Sequence, residues 1–434
     1  MDYLPKTISA VIFIGTFVCI ISEKAHRTVI AAVGAILMII AGTCFGCYRP
    51  EQAFEAIDFN TIGLLLGMMV IVSVLEDTGY LEYLAIISAK AAKGNPWLLV
   101  VILGTVTTLV SLILDNVTTV IIVAPVTIVI AKILGISARP ILMAEALLSD
   151  TGGVATLVGD PPNVMIGSAA HFTFVDFLTH LAPIVLIAWL ATLFTLRLIF
   201  RKELSEKPAD IESLTGWDAA KSIKNKGNAK KVLWVLMLVV VLFLVHHRLH
   251  IEPSFVAMIG AALVLFLVSL KSDPQEILSR VEWSVLGFFV ALFVMVGGLI
   301  STGVMDEITG MIFSFASDNI VKTALIILWV SAVVSALIDN IPFTIAMIPI
   351  IQQMQSHGIP DTLIWWALAL GVGFGGNGSP VGSTANVVVV SRSEETQDPI
   401  TFTNWFKSGT AATVVTCAIA SLAILLFHSW LEHL

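Results

Sequence analysis

The chain has 434 residues, of which 57% are hydrophobic and 12% charged, with a mean hydropathy of +0.95. Those values lie far outside the range of soluble globular domains and exclude a soluble protein or a nucleic-acid binder. The formal charge of -8 says little, because orientation in a bilayer depends on where Lys and Arg sit.

The composition is that of an all-α polytopic membrane protein, and its apolar segments follow in order. Ile8 to Ile21, Thr28 to Ala41 and Thr61 to Leu75 each hold the apolar core of a helix able to cross a bilayer, which takes about 20 residues. The first lacks a small-residue cleavage site before the next charged loop and reads as an anchor helix rather than a signal peptide. Next comes an uncharged run from Gly94 to Ala131, interrupted only by Asp115. As one continuous helix it would reach about 57 Å at 1.5 Å per residue, nearly twice the hydrocarbon thickness, so a hairpin is expected with its break in the polar patch Ser111 to Thr119. Ile141 to Ala170 is apolar but interrupted by Gly152, Gly153, Gly159, Pro161 and Pro162, the signature of a broken helix. Leu181 to Phe200 closes this half. A linker from Arg201 to Lys231 then carries the basic cluster Lys221, Lys224, Lys226, Lys230 and Lys231.

The second half repeats the first. "LDNVTTVIIVAPV" at 114 to 126 aligns with "IDNIPFTIAMIPI" at 338 to 350 at an offset of 224, which matches Asp115 to Asp339, Asn116 to Asn340 and Pro125 to Pro349. The same offset pairs Thr78-Gly79 with Thr302-Gly303. After a one-residue slip "GGVATLVGDPPN" at 152 to 163 falls on "GGNGSPVGSTAN" at 375 to 386. Two membrane repeats are expected, over 1–200 and 232–434, joined by the linker 201–231. Each would contain about five spanning helices plus a re-entrant hairpin and a broken helix. With the linker in the cytoplasm, Lys24, Arg27, Lys90, Lys93, Lys132 and Arg139 fall inside as well, and only Lys6, Arg49, Arg248 and Lys322 stay outside among the 23 Lys and Arg. An odd number of spans per repeat makes the halves inverted, as in alternating-access secondary transporters.

The candidate functional residues sit at the breaks. Asp115 and Asp339 at the hairpin tips are expected to carry protons or ions, because intramembrane ionisable groups are functional by default; the alternative is that each only caps its hairpin helix. Asp150 and Asp160, on either side of the first break, are further coupling candidates. Glu145 stands one and a half turns before Asp150. Unwound segments expose backbone groups that can hold an ion or a hydroxylated solute. Gly153 and Gly376 permit the unwinding, and Asn116, Thr156, Asn163, Asn340, Asn377, Ser379 and Asn386 add donors and acceptors for substrate. No Lys or Arg lies in the motif regions to hold a carboxylate or phosphate, which counts against dicarboxylate transport, although helix N-termini could still attract an anion. The four cysteines, with Cys44 and Cys47 on an outer loop, fit no disulfide framework, and His246, His247 and His250 read as a solvated loop. No cofactor, metal or nucleic-acid partner is expected.

These paired motifs resemble the ion transporter superfamily, near its arsenite permease and P-protein branches, over nearly the whole chain except the linker. The resemblance implies a multi-pass inner-membrane carrier that exports a small hydroxylated solute, such as trivalent arsenic or antimony hydroxide. Such export would be driven by proton exchange or by an added cytoplasmic ATPase subunit. No phosphate-binding loop of the G-x-x-x-x-G-K-[ST] form occurs in the chain itself. Three alternatives stay open: a sodium/proton antiporter or other anion permease of the same superfamily, a channel, and an intramembrane aspartyl protease. The matched Asp-Asn repeats argue against the last, because a catalytic pair needs distinct flanks.

Overall fold

A computed structural model describes residues 3–432 apart from 23–24, 206–207, 209–215, 217, 270–272, 316–318 and 357–361. Lys24 and part of the linker therefore lie outside the described residues. Among those residues the chain is all helical, with no strand, and nine helices are long and apolar enough to cross a membrane.

The first half runs through α1 (Tyr3–Ile21), α2 (Arg27–Cys44), α3 (Pro50–Glu55), α4 (Phe59–Asp77), α5 (Tyr80–Ala91), α6 (Pro96–Ser111), α7 (Asn116–Leu134), α8 (Arg139–Gly153), α9 (Pro161–Ala170), α10 (Phe174–His180) and α11 (Ala182–Ile199). The second half runs through α12 (Lys226–Leu249), α13 (Pro253–Ser269), α14 (Pro274–Ser279), α15 (Trp283–Thr302), α16 (Val304–Phe315), α17 (Ile320–Leu337), α18 (Asn340–Ser356), α19 (Thr362–Gly376), α20 (Thr384–Ser393) and α21 (Phe402–Glu432). From α1 to α9 and from α12 to α20 the elements recur in the same order. The run from Gly94 to Ala131 divides into α6 and α7, and Ile141 to Ala170 into α8 and α9, at the polar and glycine-rich breaks.

Local chemistry sets the boundaries. Asn95 and Asp115 cap α6 and α7 by accepting from Leu98 N and Thr118 N, which satisfies backbone donors that have no partner within the helix. Gly79 and Gly303, with φ of 71° and 77°, adopt the left-handed turn that separates α4 from α5 and α15 from α16. A Cβ is strongly disfavoured in that conformation. The short helices α5 and α16 that follow were not anticipated, since each was too short to stand out as an apolar span. His246 also departs from the loop expected for it: it belongs to α12 and is buried, with Nδ1 beside the carbonyl oxygen of Ile251.

Packing brings the hairpins and broken helices of the two halves together, with α7 on α20 and α9 on both α18 and α19. α4 and α15 are 61% and 72% buried, whereas α1 is 11% buried and presents its apolar face outward. These two most buried spans each pack on a helix of the other half, α4 on α13 and α15 on α2. Within each half the outgoing hairpin helix packs on the broken helix, α6 on α8 and α17 on α19. The side-chain bonds at these contacts are twinned: the Ser111 hydroxyl donates to Ser149 O at 3.4 Å and the Ser335 hydroxyl to Val372 O at 2.9 Å.

Candidate functional site

The two breaks share one backbone design. In the first, the Asn163 amide donates to Gly153 O, Val154 O and Thr156 O at 3.4, 3.1 and 2.8 Å. In the second, the Asn386 amide donates to Gly376 O and Ser379 O at 2.9 and 3.2 Å. The carbonyls released by unwinding are thus satisfied by one asparagine per break, as buried backbone requires. The chain doubles back tightly enough that a Cβ on Gly153 would come within 2.6 Å of Gly159 O, and one on Gly382 within 2.5 Å of Gly376 O. The Thr156 hydroxyl donates to Leu112 O and accepts from Gly159 N, while Ser379 Oγ accepts from Val381 N. The Asn377 amide crosses to the other broken helix and donates to Thr151 Oγ1 at 2.9 Å and Leu147 O at 3.3 Å.

The acids gather between these breaks. Asp150 is buried near the end of α8 and accepts from the Asn116 amide at the first hairpin tip at 2.7 Å, with the Ser383 hydroxyl beside it. Asp160 is buried at the start of α9 and accepts from the Asn340 amide of the second hairpin at 3.4 Å. It lies within electrostatic reach of Asp150, Asp339 and Asp115. Asp115 is turned toward its own hairpin, where it accepts from Thr118 N at 2.8 Å and Thr118 Oγ1 at 2.7 Å. Glu145 is fully buried deeper along α8; it accepts from Thr127 Oγ1 at 2.5 Å, and its Oε2 has no hydrogen-bond partner.

Asp339 differs from its twin. Its Oδ2 accepts from Arg27 Nη1 at 3.1 Å and from Thr384 Oγ1 at 3.1 Å, while Oδ1 accepts from Ile341 N. Arg27 Nη1 also donates to Thr384 Oγ1 at 3.0 Å, and the guanidinium lies 5.3 Å from the centre of the Phe288 ring. The expectation of a site without a fixed cation therefore needs correction, because α2 delivers one from outside the motifs. Arg27, Asp115, Glu282 and Thr384 line a narrow cavity of about 50 Å³, whose remaining wall is mostly apolar side chains of α4 and α15. Burial and the Asp115 charge push the Glu282 carboxyl up from its ordinary value, and Arg27 pulls it down. A separate cavity of about 320 Å³, with Asp58, His171, Phe293 and Gln352 in its lining, lies along the other half of α15.

Of the expected site residues, Asp115 lines the narrow cavity, while Gly153, Gly376 and the Asn, Thr and Ser set hold the breaks and the buried acids. Arg27 and Glu282 were missed. A signal for Glu282 lay in the sequence, since the same offset of 224 sets "EWSVLGFFVA" from Glu282 against "DFNTIGLLLG" from Asp58, but nothing local ties Arg27 to a position 312 residues away.

Similarity to known proteins agrees with this architecture. The citrate transporter (CitMHS) family model matches residues 17–371. An uncharacterized transporter of Mycobacterium tuberculosis is 39% identical over 433 residues, covering 99% of this chain and 100% of that protein. A 46 kDa membrane protein of Mycobacterium leprae is 38% identical, covering 99% of each chain. The human P protein is 29% identical, covering 97% of this chain and 60% of that protein. The YdaH transporter of Alcanivorax borkumensis shares the fold, with a TM-score of 0.59 over 94% of this chain and 99% of that one at 14% identity. With nine candidate spans and a family match over most of its length, the chain belongs to the citrate transporter (CitMHS) family of the ion transporter superfamily and is a multi-pass secondary transporter, not an enzyme.

Proposed function

We propose that this transporter is proton-coupled and works by alternating access, as two inverted repeats over 1–200 and 232–434 joined by a cytoplasmic linker over 201–231. The observation that carries this reading is the pair Asp150–Asn116 and Asp160–Asn340. Each joins a buried carboxyl of a broken helix to a neutral amide at a hairpin tip. An amide N–H can serve a carboxylate or the carbonyl oxygen of a protonated carboxyl, so these partners tolerate a change of proton occupancy that a lysine or arginine would oppose. Asp115 and Asp339 stand close by as further acids.

The inverted arrangement and the linker's side gain support from contacts made by three cationic residues that the charge census places inside. Arg280 pairs with Asp77, Arg139 with Asp398, and Lys224 N in the linker donates to Thr78 O. The two cavities at opposite ends of α15 suit a site that opens to one side at a time.

For the solute, a neutral hydroxide of trivalent arsenic or antimony follows from the superfamily resemblance, and its efflux would need proton exchange or an ATPase subunit. Arg27 at the cavity and the family's description as citrate transporters favour an organic carboxylate. The Thr156, Asn163 and Asn386 side chains meant for a trihydroxide are engaged in holding the breaks. We take the carboxylate as the solute class. Proteoliposomes offered citrate, short carboxylates, arsenite and antimonite under an imposed pH gradient, with a sodium gradient as the comparison, test both the coupling ion and the class. Accumulation driven by sodium alone would end the proton reading, and pH-driven movement of arsenite alone would end the carboxylate one.

A further inference from the structure

Arg27 is the cation lining the narrow cavity, where it faces Asp115 and Glu282, and Asp339 holds it from one side. Both of its hydrogen bonds use Nη1. A guanidinium has five N–H donors arranged as a fork that matches a carboxylate, so most of that capacity is uncommitted to protein. The feature is confined to one half: α13 begins with Pro253 where α2 begins with Arg27, and Asp115 is held by Thr118 of its own hairpin where Asp339 is held by Arg27.

We propose that Arg27 is the anion-binding residue of this cavity, and that a small monocarboxylate with an apolar body displaces Asp339 from it as Asp339 takes up a proton. This rests on the reading of the cavity as part of the transport site. The exchange balances. A proton arrives from the side to which the cavity is open and stays on the Asp339 carboxyl. The Arg27–Asp339 ion pair is replaced by an Arg27–solute ion pair, and the net charge of the loaded cavity is unchanged. Charge makes the proton necessary, because Asp115, Glu282 and Asp339 beside a single guanidinium leave no room for a further anion.

The wall sets the class of solute. Leu65, Met68, Met69, Val285 and Phe289 offer contact to a hydrocarbon body and no second cation to a second carboxylate. A monoanion should thus be preferred to citrate, which carries three carboxylates against the one guanidinium. Arg27 crosses from α2 to the second hairpin and to Thr384 at the start of α20, so loading would also release the contact that ties those elements together.

The test is titration of the purified full-length protein in lipid nanodiscs with butyrate and with citrate, at acidic and at neutral pH. Wild type is expected to bind butyrate more tightly than citrate, and more tightly as pH falls, with a limiting slope of about tenfold per pH unit for one linked proton. Asp339→Asn is expected to bind butyrate with that slope removed. Arg27→Gln should lose at least about tenfold in affinity, with Arg27→Lys between it and wild type. Arg27→Gln titrating like wild type, Asp339→Asn keeping the full slope, or wild type failing to bind butyrate at acidic pH would each overturn the proposal. Vesicle accumulation is a separate readout: a wild type that accumulates citrate or arsenite on a pH gradient while ignoring butyrate overturns the ion-pair exchange and leaves the proton-coupled reading standing.

Discussion

The two broken helices are alike in backbone and unlike in chemistry. Asn163 and Asn386 satisfy the carbonyls of the two breaks in the same way, and a Cβ on Gly159 or on Gly382 would meet the carbonyl oxygen of Gly153 or Gly376 at 2.6 and 2.5 Å. Yet the first break carries Asp150 and Asp160, where the second has Gly373 and Ser383, and Glu145 lies opposite Leu368 in the alignment. The cation is distributed the other way, since Arg27 serves the second hairpin. The repeated backbone is a shared solution to unwinding a helix inside apolar surroundings, where each unpaired group is expensive. The charges are a separate layer laid on it unevenly, and that layer distinguishes the two sides of the site.

The largest expected effect comes from removing the uneven layer. Asp160→Asn and Asp150→Asn keep an oxygen to accept from Asn340 and Asn116 but lose the titratable proton. pH-driven accumulation in vesicles should fall to background in at least one of them while downhill exchange survives. Ser383→Ala, at the twin of Asp160, should retain accumulation; equal loss in all three variants would show that the two breaks do not differ in kind.

The shared layer predicts equal damage. Asn163→Leu and Asn386→Leu each strip a buried amide from backbone carbonyls, at a cost of about 1–3 kcal/mol per unsatisfied group. The melting temperatures of the two purified variants should drop by similar amounts. A smaller version of the same comparison is Gly159→Ala against Gly382→Ala. Each new methyl group meets a backbone carbonyl, and overpacking of that kind costs about 1–3 kcal/mol; a large loss in one and none in the other would break the equivalence of the breaks.

The smallest effect is expected at Glu145, where the twin position is already apolar. Burying a carboxyl with one unpartnered oxygen is costly, so Glu145→Leu should leave thermal stability unchanged or raise it by up to about 1 kcal/mol. A marked fall in melting temperature would mean that the Thr127 bond outweighs the burial of the acid.

Much of the architecture could be read from the chain because it depends on neighbours in sequence. Length against bilayer thickness called for a break in the run from Gly94 to Ala131, and Asp115, capping the next helix, marked where. Glycines and prolines marked the break between Ile141 and Ala170, and the fixed offset exposed the duplication. Helices α5 and α16 escaped notice because a 12-residue segment is too short to register as a span. Tertiary structure alone decided which partners meet: Asn116 with Asp150, Asn340 with Asp160, and Arg27 with Asp339. Backbone breaks follow from local sterics and unpaired peptide groups, which a short window of sequence contains. The pairing of a buried charge depends on which side chains the fold brings within a few ångströms, and for Arg27 that partner lay in the other half of the chain.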